Sequence, residues 1–365
     1  MAPDPPLPDL SRDYHGEGLE LMANIPKSTV TVTDNKSAVP KAKVGIALAA
    51  YAPNPEFFAA QLNSLLSQTC QDWICHIRLD SPLEDLRRVW SGKEVGARFF
   101  TDSRFLWSEN PARLGHRKNF EACIGDVARH DDVRWIFCCD QDDIWKPEKI
   151  STMVAALAVA PPLSLAHSDM IISRDGSMTN SPSGDSMNKA SIWRTEHRQV
   201  QNNRPQHFLV HNIVTGAAAA FDADLARRFP VLADAVDFHD HWFGLVASCS
   251  GSVVAIPEPL VIYRQHGDNV VGAREYRHSY LPGDDMASAR ARALDSWKRS
   301  HALLNAVLRQ GIALPFWVRA VFGRAPDFGF GLLMLALLNG SRDGKYAREC
   351  VIRAIGKALW CLKER

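Results

Sequence analysis

Aspartates that directly follow apolar segments are the residues of this chain best suited to chemistry. Asp80 ends the segment Trp73–Leu79, a run of acidic residues at 140–143 ends the segment Trp135–Cys139, and Asp240 opens a later helical segment. In parallel α/β sheets, ligands bind beyond the carboxyl ends of the strands, where such aspartates would lie. The sequence therefore predicts a ligand site that consists mainly of carboxylates.

The spacing of Asp140 and Asp142 suits a divalent cation. Two carboxylates one residue apart on an extended segment can direct their oxygens toward one ion, and Mg²⁺ and Mn²⁺ prefer oxygen ligands. Three acidic side chains within four residues also repel one another unless a cation or the donors of a ligand offset their charge. The same spacing in Asp222-Ala223-Asp224 is typical of a helix N-cap, so a capped strand-to-helix loop is the alternative for residues 140–143.

Strands and helices alternate around the first of these aspartates. Asn54-Pro55-Glu56 supplies an N-cap, an N1 proline and an acidic first turn for the first helix. Strands alternating with amphipathic helices predict an α/β fold with parallel βαβ units covered on both faces. The predicted strands of this half are Val44–Tyr51, Trp73–Leu79, Ala97–Phe100 and Trp135–Cys139.

The second half of the chain follows a looser pattern. After about residue 160 the apolar segments are shorter, as at Val214–Phe221, which predicts a mixed continuation of the sheet. From about Ala287 onward the pattern is helical. We predict a flexible tail over residues 1–40, an α/β domain over 41–275 and a helical C-terminal region over 276–365.

Composition excludes several classes of protein. The chain has 365 residues, of which 46% are hydrophobic and 23% charged, which is typical of a globular protein. Its net charge of +1 provides no field for a polyanion, so we expect no nucleic acid partner. Eight cysteines without a CxxC pair, and no signal peptide, favour the cytoplasm. The longest apolar stretch, Phe328–Leu338, is too short to span a bilayer, which leaves attachment to the membrane surface open.

Seven segments resemble, in order, the motifs of family 2 glycosyltransferases of the GT-A fold, particularly the bacterial rhamnosyltransferase-like branch of surface polysaccharide assembly. They cover roughly residues 43–275: ALAAYAPNPEFFAAQLNSLLSQT (47–69), NPARLGHRKNF (110–120), CDQDDIWKPEK (139–149), AHSD (166–169), NIVTGAAAAF (212–221), HDHW (239–242) and PEPLVIYRQHGDNVVGA (257–273). The resemblance implies an inverting, metal-dependent transfer of a sugar, with rhamnose as the candidate, from a dTDP- or UDP-sugar. It implies Mg²⁺ or Mn²⁺ as cofactor and a glycan or a lipid-linked acceptor.

The resemblance also assigns roles to the residues around the predicted cation. Asp140 matches the aspartate near the nucleotide ribose, and Asp142 matches the one that holds the cation on the diphosphate. His266 matches a late motif that offers a further metal contact, and Arg264 is a candidate for pairing with phosphate oxygens, with a polar loop as the alternative. For Asp143 we favour a cap on the following helix.

Asp240 resembles the catalytic base of the family. Inversion in a single displacement requires a base that takes the proton of the acceptor hydroxyl as that oxygen attacks the anomeric carbon. The alternative is a helix N-cap, where aspartate is also favoured. His239 and His241 flank Asp240, but residues two apart on a helix point to different sides, so we discount a zinc site. We expect one imidazole to orient a phosphate or a sugar hydroxyl and the other to pack.

The amino-terminal half carries the predicted nucleotide site. Ala50 and Tyr51 resemble the positions that wrap the nucleotide base, and Asp80 resembles the acid that contacts a pyrimidine, although the family carries two adjacent acids followed by Gly-Ser there. Arg117 and Lys118 lie in a cationic turn suited to a diphosphate, with a solvated helix face as the alternative. Farther along the chain, Gly216 would let the backbone approach the donor sugar, or would mark a bulge.

Two other functions use the same residues. A metal-dependent phosphohydrolase or nuclease would draw on the carboxylates and the histidine pair, and a non-catalytic protein would bind sugar nucleotide or glycan without transfer. For the C-terminal region we expect helices that contact the inner membrane surface, because an apolar run is followed by basic residues. The alternative is a helical hairpin packed on the catalytic domain or on a second subunit.

Overall fold

The computed structural model describes most of the chain from Lys43 onward. The described residues are 43–173, 191–196, 200, 203–230, 234, 236–265, 286–324, 329–339 and 344–363. The predicted tail, His266 and the predicted domain boundary at residues 275 and 276 lie outside them.

One eight-stranded sheet forms the centre of the molecule, with the strand order β3-β2-β1-β4-β7-β6-β8-β5. The strands are β1 (Lys43–Ala50), β2 (Trp73–Leu79), β3 (Phe105–Glu109), β4 (Val133–Cys139), β5 (Ile144–Trp145), β6 (Leu165–Ser173), β7 (Ala219–Asp222) and β8 (Val253–Arg264). β1, β2, β3 and β4 pair in parallel. β7 runs antiparallel to both β4 and β6, while β6 pairs in parallel with β8. The predicted α/β class, with a parallel first half and a mixed second half, is confirmed.

The helices that connect the parallel strands form where the sequence patterns place them. They are α1 (Pro55–Leu66), α2 (Leu83–Trp90), α3 (Glu94–Thr101), α4 (His116–Ala128) and α5 (Lys149–Val159). Asn54 caps α1, because its side chain accepts hydrogen bonds from the amides of Glu56 and Phe57. Apolar side chains of α1, α4 and α5 are buried and cover both faces of the sheet.

Two predicted strands are wrong. Ala97–Phe100 belongs to α3, and the third strand comes later, at Phe105–Glu109. Within Val214–Phe221 the chain first makes a 3₁₀ turn at Gly216–Ala218, and only Ala219–Asp222 forms a strand. This turn at residues 216–218 is buried and stands at the carboxyl end of β4, so it becomes part of the site.

Short helices follow in the second half and support the C-terminal helices. They are α6 (Ile192–Thr195), α7 (Pro205–Phe208), α8 (Ala223–Arg228) and α9 (His239–Ser250), followed by α10 (Met286–Arg309), α11 (Phe316–Phe322), α12 (Phe330–Asn339) and α13 (Gly344–Lys363). Ser300 donates to Leu209 O, Arg353 to Val210 O and Tyr346 to Gln206 O. The predicted helical C-terminal region is therefore present and packs against the end of α7. No described helix is long and apolar enough to cross a membrane.

Candidate functional site

The predicted acidic loop directly follows the buried strand β4, at the carboxyl end of the parallel strands. Asp140 and Asp142 are half-buried, whereas Asp143 is wholly buried. Asp143 Oδ1 accepts a hydrogen bond of 3.1 Å from the amide of Arg264, and its Oδ2 has no hydrogen-bond partner in the described part of the chain. The N-cap position of the next helix, α5, is held by Glu148. The prediction that Asp143 caps that helix is therefore wrong, because two residues of β5 and a turn separate the two.

The charges of the loop strongly affect its aspartates. Burial, followed by the neighbouring charges of Asp142 and Asp240, raises the pKa of Asp140 to about 7, while Lys149 acts in the opposite direction. Burial, followed by the charges of Asp140 and Asp142, raises the pKa of Asp143 well above its usual range. The charge of Asp240, which lies 100 residues later in the sequence, is thus among the causes of the raised pKa of Asp140.

The acidic loop has the oxygen donors that a hard divalent cation takes. Its donors are carboxylate oxygens, one of which, Asp143 Oδ2, is buried without a hydrogen-bond partner among the described residues, and their mutual repulsion would be relieved by positive charge. In the described part of the chain no three histidine, cysteine or acidic side chains converge to enclose an ion. Mg²⁺ is commonly held by one or two carboxylates together with substrate phosphates, which matches this donor set.

Asp240 lies in the first turn of α9 and is fixed by three hydrogen bonds. Its Oδ1 accepts from Asn212 Nδ2 at 3.0 Å and from the amide of His241 at 2.7 Å, and its Oδ2 accepts from the amide of Gly216 at 2.9 Å. The N-cap position of α9 is held by Phe238, so the alternative interpretation of Asp240 as an N-cap is wrong. The carboxylate instead binds the turn at residues 216–218, which contacts β4.

Gly216 permits this contact because it has no side chain. A Cβ at this position would lie 2.6 Å from His239 Nε2 and 2.9 Å from its Cε1. The His239 ring stacks on Phe120, with 4.1 Å between the ring centroids, and neither ring nitrogen has a hydrogen-bond partner among the residues that the structure describes. Burial, with the charge of His116 as a lesser cause, lowers the pKa of His239 to about 3, so this imidazole is neutral. The turn therefore rests directly on a rigid, uncharged ring.

The two histidines around Asp240 point in different directions. His239 packs on α4 through Phe120, whereas His241 Nε2 donates to the carbonyl of Phe208 at 2.7 Å. They do not form a shared metal site, and the histidine pair gives no support to a two-metal phosphohydrolase. Trp145 and Trp242 are both buried and pack in the core.

Arg264 lies next to the acidic loop. Its Nε donates to the carbonyl of Asp142 at 3.0 Å, and its guanidinium stacks on Phe57 at 3.8 Å from the ring centroid. Burial lowers the pKa of Arg264, and the charges of Asp142 and Asp143 oppose this effect. The structure thus places Arg264 beside the predicted cation site, and its pairing with phosphate stays a prediction.

Asp80 lies at the end of β2 and organises the loop that leads into α4. Its Oδ1 accepts from Asn110 Nδ2 at 2.8 Å and from the amide of Leu114 at 2.7 Å, and its Oδ2 accepts from the amide of Gly115 at 2.7 Å. This loop carries Arg113, whose guanidinium lies 4.0 Å above the centroid of the Tyr51 ring. Asp80 therefore has a structural role, and its contact with a pyrimidine stays a prediction.

The other predicted nucleotide residues lie around the same end of the sheet. Ala50 is buried at the end of β1, and Tyr51 is 46% exposed beyond it. The amide of Tyr51 donates to Gln141 Oε1 at 2.8 Å, which joins this rim to the acidic loop. Arg117 and Lys118 begin α4, where Lys118 is exposed and Arg117 Nη2 lies 3.4 Å from Asp234 Oδ1.

Sequence reasoning missed Lys149 and Asn212. Lys149 is wholly buried at the start of α5, and its Nζ donates to the carbonyl of Ala217 at 2.6 Å. A signal existed, because Lys149 lies four residues before Met153 on the apolar face of the helix. Asn212 Nδ2 also donates to the carbonyl of Val214, so it braces Asp240 from a loop with no helical or strand pattern.

Comparison with known proteins gives structural similarity only. No protein-family model and no curated protein sequence matches the chain. The structure of residues 1–349 of TarS of S. aureus in complex with UDP is 9% identical and has a TM-score of 0.47, over 88% of this chain and 90% of that one. The mannosyltransferase PcManGT from Pyrobaculum calidifontis, in complex with GDP-Man and Mn²⁺, is 13% identical with a TM-score of 0.46, over 89% and 88% of the two chains. Similarity of this size assigns neither a reaction nor a substrate.

Proposed function

We propose that the protein is an inverting, metal-dependent glycosyltransferase that moves a sugar from a nucleotide sugar to a hydroxyl acceptor. The observation that carries this proposal is that Asp240 binds, through the amide of Gly216 at 2.9 Å, the turn that stands at the carboxyl end of β4, where the acidic loop begins. A site with cation-binding carboxylates on one side and a fixed carboxylate on the other has the parts that a single displacement needs. The ordered motifs of the sequence support the same reaction.

Asp240 is the proposed base. Its carboxylate takes the proton of the acceptor hydroxyl while that oxygen bonds to the anomeric carbon, and the bond from this carbon to the diphosphate oxygen breaks. The amides of Gly216 and His241 and the side chain of Asn212 hold the carboxylate in one orientation during this step. The nucleoside diphosphate leaves with the electron pair of the broken bond.

The acidic loop and its neighbours are the proposed donor side. Asp142 and Asp140 would hold Mg²⁺ or Mn²⁺, which neutralises the charge that develops on the leaving diphosphate. Arg264, Arg117 and Lys118 are proposed to contact the phosphates, and Ala50, Tyr51 and Asp80 to border the nucleotide. His266, which lies outside the described residues, is proposed as a further metal contact. Gly216 is proposed to border the donor sugar.

The reaction can be tested with a panel of donors. Purified protein incubated with dTDP-rhamnose or a UDP-hexose, Mn²⁺ and acceptor glycans should release nucleoside diphosphate and form a glycosylated product. Asp142→Ala should abolish both. Asp224→Ala is the matched control, because Asp224 has the same one-residue spacing from Asp222 but bonds Arg227 on a helix surface. Binding of sugar nucleotide without transfer to any acceptor would contradict the proposal and favour a binding protein.

We further propose that the C-terminal helices contact an anionic lipid surface, where a lipid-linked acceptor would reside. One face of α12 packs through Leu332 and Ala336, while the opposite face presents apolar side chains that are 40–76% exposed: Phe330, Leu333, Met334, Leu337 and Leu338. Residues 286–365 contain 14 lysines and arginines but five acidic residues, although the whole chain has a net charge of only +1. An apolar stripe on a basic region is the arrangement of helices that lie at anionic bilayers.

Cosedimentation with vesicles tests this surface. The protein should bind phosphatidylglycerol vesicles, bind phosphatidylcholine vesicles less, and lose binding at high salt. Leu337→Asp should abolish binding, whereas Val159→Asp, which alters an equally exposed apolar residue on α5, should not. If Leu337→Asp instead dissociates a dimer and vesicles never bind, the face is an interface between copies and the lipid proposal is wrong.

A further inference from the structure

Lys149 is a buried cation in a place where a lysine is costly. The residue is wholly buried, its Nζ lies 3.5 Å from the centroid of the Trp145 ring, and its one hydrogen bond within the described residues goes to Ala217 O. Removing an ammonium group from water costs several kcal/mol unless partners compensate. Burial lowers the pKa of Lys149 to about 7, against the opposing charges of Cys139 and Asp143. A neutral apolar side chain would fill this space at less cost.

The hydrogen bond of Lys149 falls on the turn that also binds Asp240. In the turn at residues 216–218, the carbonyl of Ala217 accepts from Lys149 Nζ at 2.6 Å, while the amide of Gly216 donates to Asp240 Oδ2 at 2.9 Å. The amino group of Lys149 therefore binds a carbonyl of the turn, and the carboxylate of Asp240 binds an amide of the same turn. The His239 ring blocks movement of Gly216 on a further side.

Lys149 also belongs to the donor side of the site. It begins α5, the helix that follows the acidic loop, and its charge acts on both Asp140 and Asp143. The side chain thus spans from the segment that carries the acidic loop to the turn that binds Asp240.

We infer that Lys149 is a positioning residue that fixes the turn at residues 216–218, and through it Asp240, relative to the acidic loop. Its effect on sugar transfer rests on the proposed function, whereas its effect on the turn does not. Loss of the ammonium leaves the Ala217 carbonyl without its donor and allows Gly216 N and Asp240 to shift. Misplacement of a reacting group by about 1 Å can cost about 100-fold in rate.

The chain provides a matched control in Lys357. This residue is also wholly buried, its Nζ donates to the carbonyl of Val321 at 3.0 Å, and it lies 5.2 Å from the centroid of the Trp297 ring. It belongs to α13 in the C-terminal region. Lys357→Met therefore removes a buried ammonium from a backbone carbonyl and a tryptophan, as Lys149→Met does, but away from the turn.

An NMR measurement of the Gly216 amide tests the inference without substrate. Thr215-Gly216 is the only Thr-Gly pair in the sequence, so protein with ¹³C-carbonyl threonine and ¹⁵N-glycine gives a single correlation for this amide. Lys149→Met should move that resonance, and Lys357→Met should leave it in place. An unchanged resonance in folded Lys149→Met, or an equal shift in Lys357→Met, would overturn the inference. If Lys149→Met does not fold, the same resonance is measured in Lys149→Arg. A guanidinium cannot take the position of the ammonium over Trp145, so this substitution must also shift the resonance of the Gly216 amide.

Transfer kinetics then separate positioning from binding. Lys149→Met should lower kcat by about 100-fold, Lys149→Arg should restore part of the rate, and both variants should bind nucleoside diphosphate with Mn²⁺ as the wild type does. A parallel loss of nucleoside diphosphate binding would assign Lys149 to the acidic loop alone and contradict the inference. If the wild type transfers no sugar from any donor, the proposed function fails, and the amide measurement still tests the role of Lys149 in the turn.

Discussion

Gly216→Ala provides a steric test of the turn that binds Asp240. The new Cβ would lie 2.6 Å from His239 Nε2, whereas ordinary contacts begin near 3.4 Å, so the two groups must separate by about 0.8 Å. His239 is backed by Phe120 at 4.1 Å between ring centroids and is almost wholly buried, so it has no space to retreat. The backbone at Gly216 has no positive φ, so alanine meets no conformational penalty there. Overpacking of this kind costs about 1–3 kcal/mol.

A double-mutant cycle isolates this clash. In denaturant titrations, Gly216→Ala should lower the free energy of unfolding by about 1–3 kcal/mol in the wild type and by close to zero in His239→Ala, which lacks the ring. Gly125→Ala is the control, because a Cβ at that position in α4 meets no atom within 4 Å. It should be neutral or stabilise by about 0.5–1 kcal/mol. An equal cost of Gly216→Ala in both backgrounds, or none in the wild type, would refute the described packing of the turn on His239.

Three further predictions concern other parts of the molecule. Burial, followed by the charges of Lys345 and Arg353, lowers the pKa of His211 to about 3, below its unfolded value, so acidification from pH 6.5 protonates the unfolded state first and destabilises the fold. In denaturant titrations between pH 6.5 and 4, His211→Asn should remove up to about 1.4 kcal/mol per pH unit of this loss of stability. An unchanged dependence of stability on pH in His211→Asn would contradict this role of His211. UDP, added with Mn²⁺ at 100 times the dissociation constant of UDP, should stabilise the protein by about 2.7 kcal/mol in thermal unfolding. This stabilisation should vanish when EDTA is added and in Asp142→Ala. Stabilisation that persists in both cases would exclude a cation at Asp142. Asp80→Ala leaves the amides of Leu114 and Gly115 without their acceptor. In denaturant titrations it should lower the free energy of unfolding by about 1–3 kcal/mol for each amide that stays buried. An unchanged free energy of unfolding would mean that the loop does not depend on Asp80.

Local sequence signals were sufficient where a few neighbouring residues decide the structure. The N-cap at Asn54 and the N-cap at Asp222 both formed as the sequence indicated, since each depends on side chain to amide bonds within three residues. The buried apolar residues of α4, which are Phe120, Cys123, Ile124 and Val127, likewise have the spacing of one helix face in the sequence. Three of the four parallel strands, β1, β2 and β4, and the cap of α1 could therefore be predicted from periodicity and capping.

The errors arose where tertiary contacts decide. Ala97–Phe100 is too short to distinguish a helical from a strand period, and the true edge strand β3 is only partly buried, so its apolar signal is weak. The turn at residues 216–218 interrupts an apolar run because His239 and Asp240, more than 20 residues later, determine its shape. Lys149 bonds a carbonyl 68 residues away, which no local pattern reports.

Within the candidate site, residue type was more predictable than geometry. The acidic run at 140–143 was identified as carboxylates that follow an apolar segment, and Asp240 as an aspartate that opens a helical segment. In the structure the acidic run follows β4, and Asp240 binds the turn that contacts β4. The partners of Asp240, which are Asn212 and the amide of Gly216, come from a segment without regular periodicity. Their contribution could be recognised only from the folded chain.

The rate of sugar transfer by Asp240→Asn tests the central claim most directly. Asparagine keeps the size of the side chain but cannot act as the base, so the rate should fall by about 100-fold to 10,000-fold while the binding of UDP with Mn²⁺ is retained. Asp237→Asn, at an exposed aspartate three residues earlier, should transfer at the wild-type rate. Wild-type transfer by Asp240→Asn would contradict the assignment of Asp240 as the base and, with it, the proposed site.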